Sequence, residues 1–351
     1  QALTEGRLVV LPTETVYGVA ALGLDVAAVE KLCNVKNRKD NHPLPVAIHS
    51  YDQALDFAPE AGPMFQRLAR RCWPGPVTLV VDSSHPQSLV SRLPKTIQKA
   101  VAPHQTVGLR VPGNNLTLDI LRMLAGPLVL TSANRSGQPP ATNAKDAAAA
   151  LDGDVALILD DGEARFGQPS SVIRVREDGF EMLREGVVPM QTIHRLANRI
   201  VLFVCTGNTC RSPMAELIAK DIFAKQLRCS IDELEDKGTM ICSAGVATGM
   251  GSGASPEAVD VMKDAGLDLS KHETHPVSEM LVRHADLILT MTRGHRDMIV
   301  AQWPEAADRT EVLRQDGQDV VDPIGGPKEQ YQECADQIRR ELEARLPNLH
   351  R

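Results

Sequence analysis

The 351-residue chain has few aromatic side chains: 3% of its residues are Phe, Trp or Tyr, although 43% are hydrophobic. Its cores must therefore rest on Leu, Val, Ile and Ala. No apolar run approaches the roughly 20 residues of a membrane-spanning helix, so no membrane partner is expected. Seven cysteines at irregular spacing argue against a disulfide framework and for a reducing, cytoplasmic setting. No signal peptide is read at the N-terminus; the first residue is Gln1 rather than Met, which leaves a removed leader open. A strong basic excess is missing as well. Residues 1–198 carry 20 Lys+Arg against 20 Asp+Glu, so the net charge of −7 resides in the remainder. Neither part has the charge of a protein whose main business is nucleic acid. Internal repeats and low-complexity segments are lacking, and residues 1–198 hold neither a Walker loop nor a Rossmann fingerprint.

What is present suits two domains, both α/β. In the first part, 8–11, 77–81, 107–111, 128–131, 156–159 and 171–175 read as strands. Helical patterns cover 26–32, 62–72, 116–124 and 144–151. Their mixed order predicts a twisted mixed sheet with flanking helices. Residues 1–188 form the expected first domain, 189–199 a linker and 200–351 the second domain. In the second, a strand at 200–204 passes through a loop at 205–211 into a helix at 212–226. Further units at 240–243, 257–265, 287–291 and 329–345 continue the alternation, which predicts a parallel sheet.

The second domain carries the sharper chemistry. Cys205, Thr206, Gly207, Asn208, Thr209, Cys210, Arg211 and Ser212 lie where a buried strand hands over to a helix. The backbone N–H groups of such a loop can nest an anion, and the helix N-terminus adds positive potential. Gly207 and Asn208 tolerate the left-handed angles that the curl requires. Arg211 offers a fork for two phosphate oxygens, and Ser212 a hydrogen bond to the sulfur of Cys205, the nucleophile in its thiolate form. Attack at phosphorus also needs a proton donor. Asp322, before Pro323, is the expected general acid, protonating the leaving group and then activating water against a phosphocysteine. A lone Cys is more often a packing residue, but the Cys-x5-Arg-Ser-Pro order between strand and helix carries more weight.

At these residues the chain resembles the low-molecular-weight protein phosphatase family, through Cys242-Ser243-Ala244-Gly245 and Asp286-Leu287-Ile288-Leu289-Thr290-Met291 as well. The resemblance implies a four-stranded parallel sheet with helices on both faces and no cofactor. Tyrosine-specific members usually carry Ile four residues after the nucleophile and aromatic residues after Asp-Pro. Here those places hold Thr209 and Ile324-Gly325-Gly326, similar to the branch that dephosphorylates protein phosphoarginine. Phosphoarginine is therefore the first expectation and phosphotyrosine the alternative. Arsenate reduction is discounted because 246–333 lacks cysteine. Family members use the counterpart of Cys210 to trap the oxidised nucleophile as a disulfide; a small packing residue is the equal alternative.

The first domain offers three clusters. Pro12-Thr13-Glu14-Thr15-Val16-Tyr17-Gly18 follows a strand, Lys36-Asn37-Arg38-Lys39-Asp40 precedes Pro43, and Ser132-Ala133-Asn134-Arg135-Ser136-Gly137 follows another strand. Hydroxyls, amides and paired cations at strand ends suit a triphosphate and a small polar substrate. Singly, each could be a turn, a solvated charge run or a cap. Together they resemble the YrdC-type threonylcarbamoyl-AMP synthase family, as do Trp73-Pro74-Gly75-Pro76, Leu109-Arg110-Val111-Pro112 and Leu183-Arg184-Glu185-Gly186. That family joins L-threonine, bicarbonate and ATP, with Mg2+ accompanying ATP, and its product feeds a tRNA modification. The resemblance implies Lys36 and Arg38 on phosphates, with Ser132 and Asn134 near the nucleotide. Thr13, Thr15, Tyr17, Arg110 and Ser171 would line the threonine side. No metal-ligating residues are expected. The tRNA or the tRNA-modifying transferase is the candidate partner here, and phosphorylated proteins are the partners of the second domain. Pro169-Ser170-Ser171 departs from the usual Glu-Ser-Thr and removes a carboxylate. A non-catalytic module binding ATP or RNA is the alternative.

Overall fold

The structure is a computed structural model, and it describes residues 1–36, 43–177 and 179–345. The chain divides into two compact units, Gln1–Leu196 and Ala197–Arg351. Much of the stretch expected as a linker is a helix, Met190–Ala197. Among the described residues no helix is long and apolar enough to cross a membrane.

The first unit is built on a nine-stranded mixed sheet. Its strands are β1 (Val9–Leu11), β2 (Gly18–Leu22), β3 (Val46–Ala47), β4 (Val77–Asp82), β5 (Thr106–Arg110), β6 (Leu128–Ser132), β7 (Leu157–Ile158), β8 (Ser171–Arg176) and β9 (Gly179–Arg184). They lie in the order β7-β1-β2-β6-β3-β5-β4-β8-β9. Three parallel pairs (β1 with β7, β3 with β5, β4 with β8) stand among five antiparallel ones, a mixed sheet as the mixed sequence order predicts. The short central strands are buried and aliphatic, and a core of Val9, Leu11, Ala20, Leu121, Leu128 and Leu130 packs without rings. Side-chain caps start the helices: Asp25 accepts from the Ala28 N–H at 3.0 Å, Asn114 from Thr117 at 3.1 Å and Asn143 from Asp146 at 2.8 Å. Strand β2 was not expected from the sequence, because Gly18 and two alanines blur its alternation.

The second unit has a four-stranded, wholly parallel sheet in the order β11-β10-β12-β13, formed by β10 (Arg199–Cys205), β11 (Thr239–Gly245), β12 (Leu287–Thr290) and β13 (Thr310–Val312). Successive side chains of a strand face opposite ways. Val201, Phe203 and Cys205 accordingly join one core with the helices Arg211–Leu227 and Lys328–Arg345, while Ile200, Leu202 and Val204 join the core on the other face. Helices thus cover both faces of a central strand buried from Ile200 to Cys205. Cys205 ends that strand where its carboxyl end meets a helix N-terminus, the usual ligand position of an open α/β sheet.

Candidate functional sites

In the second unit the loop after β10 curls around the Cys205 sulfur. The Asn208 N–H donates to Sγ at 3.2 Å, and Ser212 Oγ lies 2.9 Å from it. Asn208 carries the left-handed backbone, with φ of 54°; Gly207 is not among the positive-φ residues. The Asn208 side chain is fully used: its amide donates to Ser212 Oγ and Ser243 Oγ, both at 2.9 Å, and its carbonyl accepts the His275 N–H at 2.9 Å. Ser243 in turn donates to Glu216 at 2.6 Å. A satisfied buried network of this kind fixes the loop in one shape. Gly245 lets β11 approach: a Cβ there would lie 2.7 Å from the Thr206 carbonyl oxygen and 3.0 Å from the Asn208 nitrogen.

Arg211 is buried in the first turn of the helix, and Asp322 is 40% exposed at the mouth. The Arg211 guanidinium makes a hydrogen-bonded ion pair with Asp322 and donates to the Val320 carbonyl at 3.3 Å. Residues 111 positions apart are thereby joined, and the expected acid is tied to the arginine that closes the expected nucleophile loop. Cys210 is the buried residue at the end of the loop, with hydroxyls around it, Ser255 Oγ at 3.3 Å and Tyr331 Oη at 3.7 Å. Thr209 is partly exposed, and Ile324 is 67% exposed just after Pro323. His295, absent from the expected set, meets Thr206 Oγ1 at 2.9 Å through Nε2. Burial, and then the Arg211 charge, hold its pKa below the ordinary 6.5.

The first unit holds a cleft of about 600 Å³ lined by Thr13, Thr15, Tyr17, Arg110, Ser132 and Asn134 among others. Lys36 comes to the same end of the sheet: its ammonium donates to the Asn134 side chain at 2.7 Å and to the carbonyls of Asn134 and Ser132 at 2.6 and 2.9 Å. Ser132 Oγ donates to the same Asn134 side chain at 2.6 Å. Opposite them, Arg110 donates to Thr15 Oγ1 at 2.9 Å and to the Gly75 carbonyl at 3.1 Å. Thr13 and Thr15 hydroxyls are 2.8 Å apart. Tyr17 uses its hydroxyl on the loop after β7, donating to the Gly162 carbonyl at 2.7 Å and accepting from the Asp161 N–H at 3.0 Å. Burial raises its pKa.

Two expectations change and one falls outside. Ser171 does not line the cleft: its hydroxyl donates to the Val188 carbonyl at 2.7 Å and accepts the N–H groups of Gly186 and Val188. The neighbouring Ser170 lines it instead, with Arg184. Glu14, which the expectation left out, bonds Arg110 at 2.7 Å and the Gly113 N–H at 2.8 Å. The signal for it was the Thr-Glu-Thr triplet itself, a carboxylate between two hydroxyls. Arg38 lies outside the described residues. Arg184 has a pKa lowered by burial and then by the nearby Arg110 charge. Two cations crowding one wall favour an anion there.

Comparison with known proteins agrees with the division into units. A family model described as Telomere recombination (Sua5_yciO_yrdC) matches residues 1–186, and one described as Low molecular weight phosphotyrosine protein phosphatase matches residues 200–351. A threonylcarbamoyl-AMP synthase of Pyrococcus abyssi is 36% identical over 56% of this chain and 56% of its own length. The match thus spans about half the length of that relative. A protein-arginine-phosphatase of Geobacillus stearothermophilus is 41% identical over 39% of this chain and 87% of its own length. Among solved structures, P. abyssi Sua5 complexed with L-threonine aligns with a TM-score of 0.50 at 25% identity, covering 69% of this chain and 86% of that one.

Proposed function

Because this chain belongs to the Sua5_yciO_yrdC family over residues 1–186 and to the low-molecular-weight phosphatases over residues 200–351, we propose that it is a bifunctional enzyme. Its second domain, 200–351, removes the phosphoryl group from protein phosphoarginine. Its first, 1–188, joins L-threonine, bicarbonate and ATP into threonylcarbamoyl-AMP, for tRNA modification.

The observation that carries the phosphatase reading is the Arg211–Asp322 pair, which ties the acid loop to the end of the loop that begins at Cys205. Cys205 attacks phosphorus, the loop N–H groups and Arg211, freed from Asp322 by the incoming phosphoryl group, take the charge that develops on the phosphoryl oxygens, and Asp322, protonated from solvent once that ion pair is exchanged, protonates the departing nitrogen. Asp322 then deprotonates water to open the phosphocysteine. Thr209 and the absence of a ring at Ile324 leave the mouth without a wall for stacking a phenol, which favours a planar, polar guanidinium. The wall of the first cleft carries the synthase reading. Lys36 neutralises phosphate charge while the carbamate attacks the α-phosphorus, and Arg110 holds the threonine carboxylate. That wall presents hydroxyls, an amide and cations, so Mg2+ would enter on the phosphates of ATP as part of the substrate.

The test is a paired substrate panel on the intact chain and on Cys205→Ser. Phosphoarginine peptides should turn over faster than phosphotyrosine peptides, and threonine- and bicarbonate-dependent pyrophosphate release should survive the substitution. Faster phosphotyrosine cleavage would reverse the substrate order. Absence of pyrophosphate release would leave the first domain a binding module.

A further inference from the structure

The helix Arg293–Gln302 touches both halves of the phosphatase site with its first turn. The Arg293 N–H donates to Asp319 Oδ1 at 2.8 Å, three residues before Asp322. His295 is 6% exposed, its backbone N–H is held by the cap Thr292 at 3.1 Å, and its Nε2 lies 2.9 Å from Thr206 Oγ1, on the residue next to Cys205. Nδ1 of the same ring is buried and has no hydrogen-bond partner among the described residues. A neutral imidazole carries its proton on one nitrogen only. Burying an orphan donor is the rarer and costlier error, so the proton belongs on Nε2, where it has an acceptor. Thr206, exposed at the mouth, then receives from the imidazole and keeps its own O–H free.

We propose that His295 is a positioning residue of the phosphatase: its Nε2–H donates to Thr206 Oγ1 and turns the Thr206 hydroxyl hydrogen toward the bound phosphoryl group. The proposal rests on the phosphatase reading above. Together with Arg293 and Asp319, it makes the helix start a brace between the nucleophile loop and the acid loop. The charged groups facing the ring are Arg211 from the helix after the loop and Asp319 and Asp322 from the acid loop. Burial and Arg211 oppose a second proton, and the two carboxylates favour it; the first pair wins.

Long-range proton–nitrogen NMR of the full chain, labelled at histidine, reads the tautomer directly. The Nε2–H form of the neutral ring is expected; an Nδ1–H form overturns the proposal. Kinetics on p-nitrophenyl phosphate and a phosphoarginine peptide supply the second readout. His295→Leu and Thr206→Val should each lower kcat/KM by about 10-fold, the scale of one hydrogen bond, and the double variant by no more. His295→Gln, whose amide reaches the same donor position, should recover most of the rate and guards against a Leu variant that fails to fold. Losses that multiply in the double variant, or a folded Leu variant with the parent rate, overturn the positioning role alone. A parent chain that turns over neither substrate overturns the phosphatase reading and the role with it.

Discussion

The second unit concentrates its chemistry, and the first disperses it. In the proposed reading, eight consecutive residues, 205–212, supply the nucleophile, the anion nest and the fixing cation, and a single remote loop adds Asp322. The first unit draws its cleft from the turn before β2, from β3 and β4, from the ends of β5 and β6 and from the β8–β9 pair, and Lys36, after the helix Val26–Val35, bonds to its wall at Asn134. The two proposed reactions account for the difference. Covalent attack at phosphorus needs one activated atom held in a rigid cradle, which a strand-loop-helix provides locally. Adenylyl transfer needs several substrates placed side by side with their charge neutralised, and no single segment reaches them all.

The contrast is most severely tested at Cys205. Cys205→Ser should lower phosphatase kcat by about 10⁴ or more, because the reaction has no other nucleophile. Pyrophosphate release by the first unit should stay within twofold. Residual phosphatase above one hundredth of the parent rate would mean that the loop alone is not the centre of the chemistry.

Asp322→Asn comes next. It removes the proton donor and keeps the size, so phosphoarginine hydrolysis should fall about 10²- to 10³-fold. The loss should be smaller for p-nitrophenyl phosphate, whose leaving group needs less help. Equal losses on both substrates would assign Asp322 to holding Arg211 rather than to proton transfer.

This concentration also decided what the sequence could reveal. The loop from Cys205 to Ser212 was legible because its residues are contiguous and their context, an aliphatic strand and then a helix, is periodic. The sheet types were legible for the same reason. The role of Glu14 was not, although its place in the Thr-Glu-Thr triplet hinted at it, since its partner Arg110 stands 96 residues away and only folding joins them. Ser171 failed for a different cause. Neighbouring residues of a strand face opposite sides, so a one-residue ambiguity between Ser170 and Ser171 exchanges the cleft for the backbone of Gly186 and Val188. His295 was illegible because a helix start gives no sign of which loop lies above it.

Glu14 provides the matching test in the first unit. Glu14→Gln keeps the shape but weakens the hold on Arg110, whose other partners, Thr15 and Gly75, remain. The KM for threonine should rise about 10-fold with kcat changed less, since one charge-assisted bond among several is lost. Phosphatase activity should not move. A loss as deep as that of Asp322→Asn would mean that the first site, too, hangs on one residue.

The smallest effect separates reactive from inert thiols. Burial pushes Cys72 in the first unit up to about 12, against the opposing charge of Arg71; it pushes Cys242 and Cys334 in the second up to about 12 as well. At pH 8 the thiolate fraction of such a group is on the order of 10⁻⁴. Iodoacetamide under native conditions should therefore leave these three unmodified while Cys205 is alkylated and phosphatase activity disappears. A raised value means that the folded chain keeps the proton longer than the unfolded one. Below the ordinary 9.0 this changes nothing; above it the unfolded state ionises first, and stability falls as pH rises toward 12. For Cys72 the loss between pH 8 and pH 10 should be about 1 kcal/mol, and it should vanish in Cys72→Ala, whose cavity costs the same at both pH values. An identical pH dependence in the variant would show that Cys72 ionises as readily in the fold as out of it, and that the aliphatic core of the first unit admits water.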